Sequence, residues 1–197
     1  MTSGDRTPWR WYHGVLFYAL AQALTFGLYR AARAARGARE AGGDDEIERF
    51  YLEGYRPFFA PPSWAFGPAW TLNNVGSLWA LLRALNMRPG ICRTVFLTLQ
   101  TLSWLDFVTF LAACFGLRSP LNGFVWTAAY FVLTLMSQFV ALVRLRDRKL
   151  SLALTPLTLW LALATALSAA IARWNRDGFY GVGPFAEPDP RWVKTGS

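Results

Sequence analysis

The sequence predicts an all-α integral membrane protein, a five-transmembrane-helix bundle with a long first loop, and three observations carry that reading. Of its 197 residues, 54% are hydrophobic and only 16% charged, too few charges to cover a water-soluble surface. Five segments approach the ~20 apolar residues that a helix needs to cross ~30 Å of hydrocarbon. The basic residues gather beside those segments, at Arg30, Arg33, Arg36 and Arg39 and again at Arg144, Arg146, Arg148 and Lys149, where helix ends meet anionic headgroups.

The first span covers residues 11–29. Arg6 and Arg10 precede it as they would a signal peptide. Trp11, Tyr12, Gln22 and Tyr29 edge or interrupt the apolar run, however, and arginines occupy the would-be cleavage region, so it reads as a retained helix. The loop over 30–63 passes from Gly42-Gly43-Asp44-Asp45-Glu46 into the aromatic stretch Ile47–Leu52, which suggests a segment folded back over the bundle with one short helix. Loops of this length are usually functional or disordered. It ends in Arg56-Pro57-Phe58-Phe59-Ala60-Pro61-Pro62, where each proline fixes φ and removes a backbone donor, giving an extended entry to the next helix. The remaining spans are expected over 66–82, 94–116, 121–143 and 150–172, closing a single domain at about residue 175. Beyond it, over 176–197, Gly178, Gly181, Gly183, Pro184, Pro188 and Pro190 rule out a regular element. That tail reads as a mobile end or a surface strap.

Several function classes find no support. The net charge of +8 comes without any nucleic-acid-binding motif, so no nucleic-acid partner is expected. Cys92 and Cys114 lie 22 positions apart on one expected helix, ~33 Å at the standard rise, and cannot pair within it. A single histidine, His13, offers no cluster for a metal. There is no glycine-rich phosphate loop, nucleophile elbow, helical His-x-x-x-His or triad, hence no catalytic residue and no support for an enzyme.

The residues that could bind a ligand are apolar rings with a few amides. Trp64, Phe66 and Trp70 stand at the depth where amphipathic rings prefer the membrane boundary. Asn73 and Asn74 follow Trp70 by three and four positions and Ser77 comes one turn later, a polar stripe that either joins helices or orients a ligand. Asp106 lies near the middle of the third span, where a charge costs at least ~2.5 to 3.5 kcal/mol. With Ser103 and Thr109 one turn either side, it is either a proton or ligand contact or an interhelical hydrogen bond. Trp160, Ala164 and Leu167 form an i, i+4, i+7 stripe that could floor a flat apolar cavity. Ala162, Ala166 and Ala170 have the spacing that lets helices approach closely.

Taken together, Phe50-Tyr51, Arg56-Pro57 and Pro61-Pro62-Ser63-Trp64-Ala65-Phe66-Gly67-Pro68-Ala69-Trp70 resemble the signature of the TspO/translocator protein (tryptophan-rich sensory protein, peripheral benzodiazepine receptor-like) family. Pro156, Trp160, Ala164, Leu167, Arg173 and Asn175 are similar in spacing to its last helix. The departures are Asn74 where a tyrosine is expected, Leu157 in the last helix's Pro-Tyr pair, Ser168 for an asparagine, and Trp104, Asp106 and Phe107 around the third-helix Asn and Trp. The chain thus resembles a divergent member with altered ligand choice. The resemblance implies a five-helix bundle of TspO type, often dimeric, whose first loop closes a cavity for a tetrapyrrole (porphyrin or haem-like) or a sterol-like lipid. No cofactor is required. Carried over by position, Trp64 and Trp70 would be upper-pocket aromatics, Asn74 would stand in the tyrosine's place, Gln100 would match the family's Gln, and Trp160 with Ala164 would line the wall. Phe66, Asn73, Trp104, Asp106 and Leu167, read from the residues themselves, complete the expected ligand-binding set. The resulting reading is a multi-pass membrane receptor or carrier. The alternatives are an accessory subunit of a membrane complex that keeps the fold without the ligand, and a light-dependent porphyrin-degrading activity.

Overall fold

The computed structural model describes residues 8–37 and 44–194; Arg6, Arg39, Gly42 and Gly43 lie outside the described residues. The described chain is helical, with α1 (Trp11–Ala35), α2 (Asp44–Glu53), α3 (Phe66–Leu85), α4 (Ile91–Leu111), α5 (Pro120–Phe139) and α6 (Arg148–Trp174). It contains no strand, only an isolated bridge between Pro57 and Val193. By length and hydropathy, four helical stretches among the described residues can cross a membrane: Trp11–Ala35, Ile91–Gly116, Pro120–Arg144 and Arg148–Trp174. The 20-residue α3 carries Asn73, Asn74, Ser77 and Arg83 and is not among them.

The first helix runs past its expected end at Tyr29 because the arginine-rich segment stays helical. Arg33 and Arg36 reach Glu46 of α2 at 2.6 and 2.9 Å, so the helix end is tied to the loop. At the other end of α1, Arg10 N donates to His13 Nδ1 at 3.0 Å, which gives the lone histidine a capping role. Trp9 and Asn86 exchange two backbone to side-chain hydrogen bonds of 2.8 Å, pinning the start of α1 to the end of α3.

The ends of α4 and α5 repeat one device. Each passes into a π-helical turn, Ala112–Gly116 and Val140–Arg144, closed by Leu117 N to Ala112 O at 3.0 Å and by Leu145 N to Val140 O at 2.9 Å. An arginine with φ of 53° follows in each case, Arg118 and Arg146, so the chain turns sharply at a conformation that side chains seldom adopt. The next residue caps the following helix: Ser119 Oγ accepts from Asn122 N, and Asp147 Oδ1 from Leu150 N, both at 3.1 Å. Pro120 occupies the first turn of α5, where its missing donor costs nothing.

Packing is tightest where α3, α4, α5 and α6 meet around Ala80, Ala84, Phe96, Leu99, Ala141, Leu150 and Leu154, all buried. Gly76 makes this possible, since a Cβ there would collide with the carbonyl of Ala153 on α6. Close approach was expected instead at Ala162, Ala166 and Ala170. The structure turns Ala162 and Ala166 outward, and the glycine of α3 takes that role.

The Gly/Pro-rich tail is a strap. Asp177 is fully buried and accepts from Ser119 Oγ (2.6 Å), Leu121 N (3.1 Å), Phe179 N (2.9 Å) and Tyr180 N (2.8 Å), which fixes the tail against the start of α5. It then crosses the proline segment of the first loop, where Phe58 N donates to Trp192 O at 2.7 Å and Lys194 N to Arg56 O at 2.8 Å.

Candidate functional site

Away from the tight core, the helices surround a cavity of about 1030 Å³ under the first loop, lined by residues of all six helices. That is the top of the range for small-molecule sites, ~300 to 1,000 Å³. Phe50 and Tyr51 of α2, Tyr55 and Arg56 after it, and Ser63 and Trp64 beyond the prolines line it from the first loop. Pro62 has φ of −66° and ψ of 151°, an extended entry into the single turn Ser63–Ala65, from which α3 starts directly. Tyr51 of α2 donates its hydroxyl to Pro61 O at 2.8 Å and lies edge-on to Phe66, ring centroids 5.1 Å apart, so α2 is stapled to the loop it covers. Burial raises the Tyr51 phenol above its ordinary value, while the charge and hydrogen bond of Arg56 pull it down. The net shift is upward, and Tyr51 stays a neutral donor.

Inside, the rings form a connected wall. Trp70 stacks on Tyr130 at 6.3 Å with an interplanar angle of 17°, and meets Phe107 at 5.6 Å and Trp160 at 6.5 Å edge-on. Phe66 meets Trp160 at 5.4 Å and 84°. Such offset and edge-to-face pairs contribute ~0.5 to 1.5 kcal/mol each beyond burial, which makes this a rigid wall. Trp160 Nε1 is buried without a hydrogen-bond partner among the described residues. Opposite, Tyr18 of α1 accepts at its hydroxyl from Gln22 Nε2 (2.8 Å) and Asn74 Nδ2 (3.2 Å), and all three line the cavity as its polar group.

Of the residues singled out in the sequence, Trp64, Phe66, Trp70, Asn74, Trp160, Ala164 and Leu167 line this space, with Trp64 three-quarters exposed at its rim. The structure does not bring Asn73, Gln100, Trp104 and Asp106 to it. Gln100 donates to Ser137 Oγ at 3.0 Å, joining α4 to α5. Trp104 packs on Phe17 and Tyr18 of α1. Asn73 Nδ2 and Asp106 Oδ2 are buried with no partner among the described residues. Neither flanking hydroxyl reaches the Asp106 carboxyl: Thr109 Oγ1 donates to the carbonyls of Leu105 (2.8 Å) and Asp106 (3.1 Å), and Ser103 Oγ has no partner. The one-turn spacing was right, but α4 satisfies Thr109 along its own backbone first.

Sequence reasoning missed Tyr18, Phe107, Phe110, Cys114 and Tyr130 as lining residues. Phe107, Phe110 and Cys114 do follow an i, i+3, i+7 stripe on α4 and its π turn, a signal that could have been read. Tyr130 carried none, being one aromatic in an apolar helix.

The cavity thus sits beneath the Pro-Pro-x-Trp loop and against the last helix, the two regions in which the chain resembles one family. A sequence model described as the TspO/MBR family matches residues 27–174. The chain belongs to the TspO/MBR family. It is 31% identical over 134 residues to the tryptophan-rich protein TspO of Archaeoglobus fulgidus, covering 66% of this chain and 82% of that protein. Similarity to the tryptophan-rich protein TspO of Chlorobaculum tepidum is 26% over 133 residues, covering 64% and 79%. The TspO/MBR match ends at Trp174, the last residue of α6, and leaves the strap outside it. As a TspO/MBR member with membrane-crossing helices, the chain is an integral membrane protein in contact with the bilayer.

Proposed function

We propose that this protein is a membrane receptor or carrier that binds a flat hydrophobic ligand, a tetrapyrrole or sterol-like molecule, beneath its first loop. In this reading α3 joins the four longer helices as a fifth crossing segment. Its polar face is turned inward, with Asn73, Asn74 and Ser77 all buried, so the amides need not meet lipid. The observation that carries the reading is the aromatic wall. Trp70, Trp160, Phe66 and Phe107 border an empty volume large enough for a rigid polycyclic molecule, and their rings present area and quadrupole to a planar face. Gln22, Tyr18 and Asn74 supply the few polar contacts that fix orientation.

Quenching of intrinsic tryptophan fluorescence by protoporphyrin in detergent tests this. Saturable quenching is expected, weakened about tenfold (~1.4 kcal/mol) in Trp160→Ala. A wild-type protein that shows only linear, non-saturating quenching would remove the proposal.

A further inference from the structure

We propose that the mouth of this cavity is a three-arginine collar, Arg56, Arg118 and Arg176, that receives the anionic group of an amphipathic ligand whose apolar body lies against the aromatic wall. The inference rests on the cavity being a ligand site and adds the chemical class of the ligand. The three arginines come from three segments distant in sequence and all line the one cavity.

The backbone explains how they converge. Asn175 accepts from Tyr55 N at 2.8 Å through Oδ1 and donates to Tyr55 O at 2.9 Å through Nδ2, clasping the end of α6 to the residue before Arg56. Asp177 binds Ser119 Oγ at 2.6 Å, clasping the tail to the residue after Arg118. Arg176 lies between Asn175 and Asp177. Its two neighbours therefore hold the segments that carry the other two arginines, and Gly178 passes beside Arg118 O, which a Cβ there would meet at 3.5 Å.

The charges around the collar leave it cationic. Glu53 pairs with Arg118 at 2.7 Å, but both side chains are substantially exposed, and an exposed pair of this kind is worth little and readily exchanged. Glu48 also lines the cavity and accepts from Ser63 Oγ at 2.7 Å. The Asp177 carboxylate is buried under its four donors and does not face the mouth as a free charge. Arg56 stands over the Tyr51 ring and Arg118 over the Phe50 ring, at 5.2 and 5.6 Å. Those stacks orient the planar guanidinium groups. Arg176 is exposed and makes no ion pair among the described residues. Three guanidinium groups against two carboxylates, with an apolar interior below, select a ligand that is greasy at one end and negative at the other. The planar fork of arginine suits a carboxylate or phosphate.

Protoporphyrin and its dimethyl ester share the apolar body and differ only in charge, so titrating both by tryptophan quenching isolates the collar. The free acid is expected to bind about threefold to tenfold more tightly, the scale of one or two partly exposed ion pairs. That preference should shrink as salt rises. Arg176→Gln, at an exposed position, and Arg118→Gln should weaken the acid more than the ester, while Arg176→Lys keeps the preference. Displacement of the acid by phosphatidylglycerol would assign the collar to a lipid phosphate. Undiminished binding in its presence would assign it to a carboxylate on a non-lipid ligand, and either outcome keeps the anion site. Equal affinities for acid and ester, or equal losses in the arginine variants, would overturn the collar while leaving the cavity intact. Binding of neither compound would overturn both.

Discussion

Two residues show how little sequence is needed to fix the helix spacings on which the cavity depends. Gly76 lets α3 lie against the backbone of α6 at Ala153. Replacement by valine must push the two helices apart in a well-packed region, at a cost of about 1 to 3 kcal/mol. Thermal unfolding in detergent should report the drop, and an unchanged midpoint in Gly76→Val would mean that the contact is looser than drawn. Asp147 closes the same end. Burial on its own would raise its carboxyl, but the Arg83 hydrogen bond at 2.7 Å, the Leu150 N–H and the Arg83 charge together hold it below the usual aspartate range. A depressed folded-state value means that the contribution is complete above the ordinary aspartate range. It is lost as the pH falls through the lowered value. Asp147→Asn should therefore lower the melting midpoint at neutral pH by more than it does in acid, and a pH-independent difference would rule out the ion pair as the cause.

Among the elements, the strap lies wholly outside residues 27–174 of the family match, and its contacts make it a support for the first loop. The antiparallel bridge at Pro57 and Val193, the 2.7 Å bond from Phe58 N to Trp192 O and the Phe58–Trp192 ring contact at 5.4 Å all bear on the proline segment, which joins the cavity-lining Arg56 to Ser63 and Trp64. Truncation after Gly178 keeps the Asp177 clasp to Ser119 but removes these contacts. It should raise hydrogen exchange at residues 55–60 and speed protoporphyrin release, leaving the helices protected. Exchange at 55–60 identical to the full chain would show that the prolines hold the loop unaided. The elements themselves were largely legible. Counting the π turns that continue α4 and α5, apolar length set the stretches Ile91–Gly116, Pro120–Arg144 and Arg148–Trp174 to within a turn of their ends, and breakers marked the tail as irregular. Glycine and proline reveal where a helix stops and say nothing of what an irregular segment touches, so the strap's path could not be read. For the same reason α1 was cut short at Tyr29, since its last turns trade apolar residues for arginines paired to Glu46.

For the whole molecule, the obstacle to reading the site was that its helices are apolar on both faces. In a soluble protein the buried stripe of a helix stands out against a polar one. In α6 the inward Leu150, Leu154, Leu157, Leu161 and Leu167 and the outward Leu152 and Leu159 are chemically alike, and only the tryptophan and small residues distinguish the cavity side. The aromatic corner from Trp64 to Trp70 and the Trp160 stripe could be seen. The polar Gln100 misled, because a buried amide in a bundle can serve a helix contact, here Ser137, as readily as a ligand. The exposed apolar faces, Leu16, Leu20 and Leu24 of α1, Leu102 and Leu105 of α4, and Leu152 and Leu159 of α6, are the surface that a bilayer-embedded bundle presents to acyl chains or a neighbouring chain. Leu159 is 68% exposed and stands next to Trp160 near the middle of its helix, so one residue faces outward and the next the cavity. Leu159→Arg should cost ~2.5 to 3.5 kcal/mol on insertion scales and lower the membrane-integrated fraction, whereas Leu159→Ala should leave both insertion and protoporphyrin quenching near wild type. Wild-type integration of the arginine variant would place that face in water or against another protein instead of lipid.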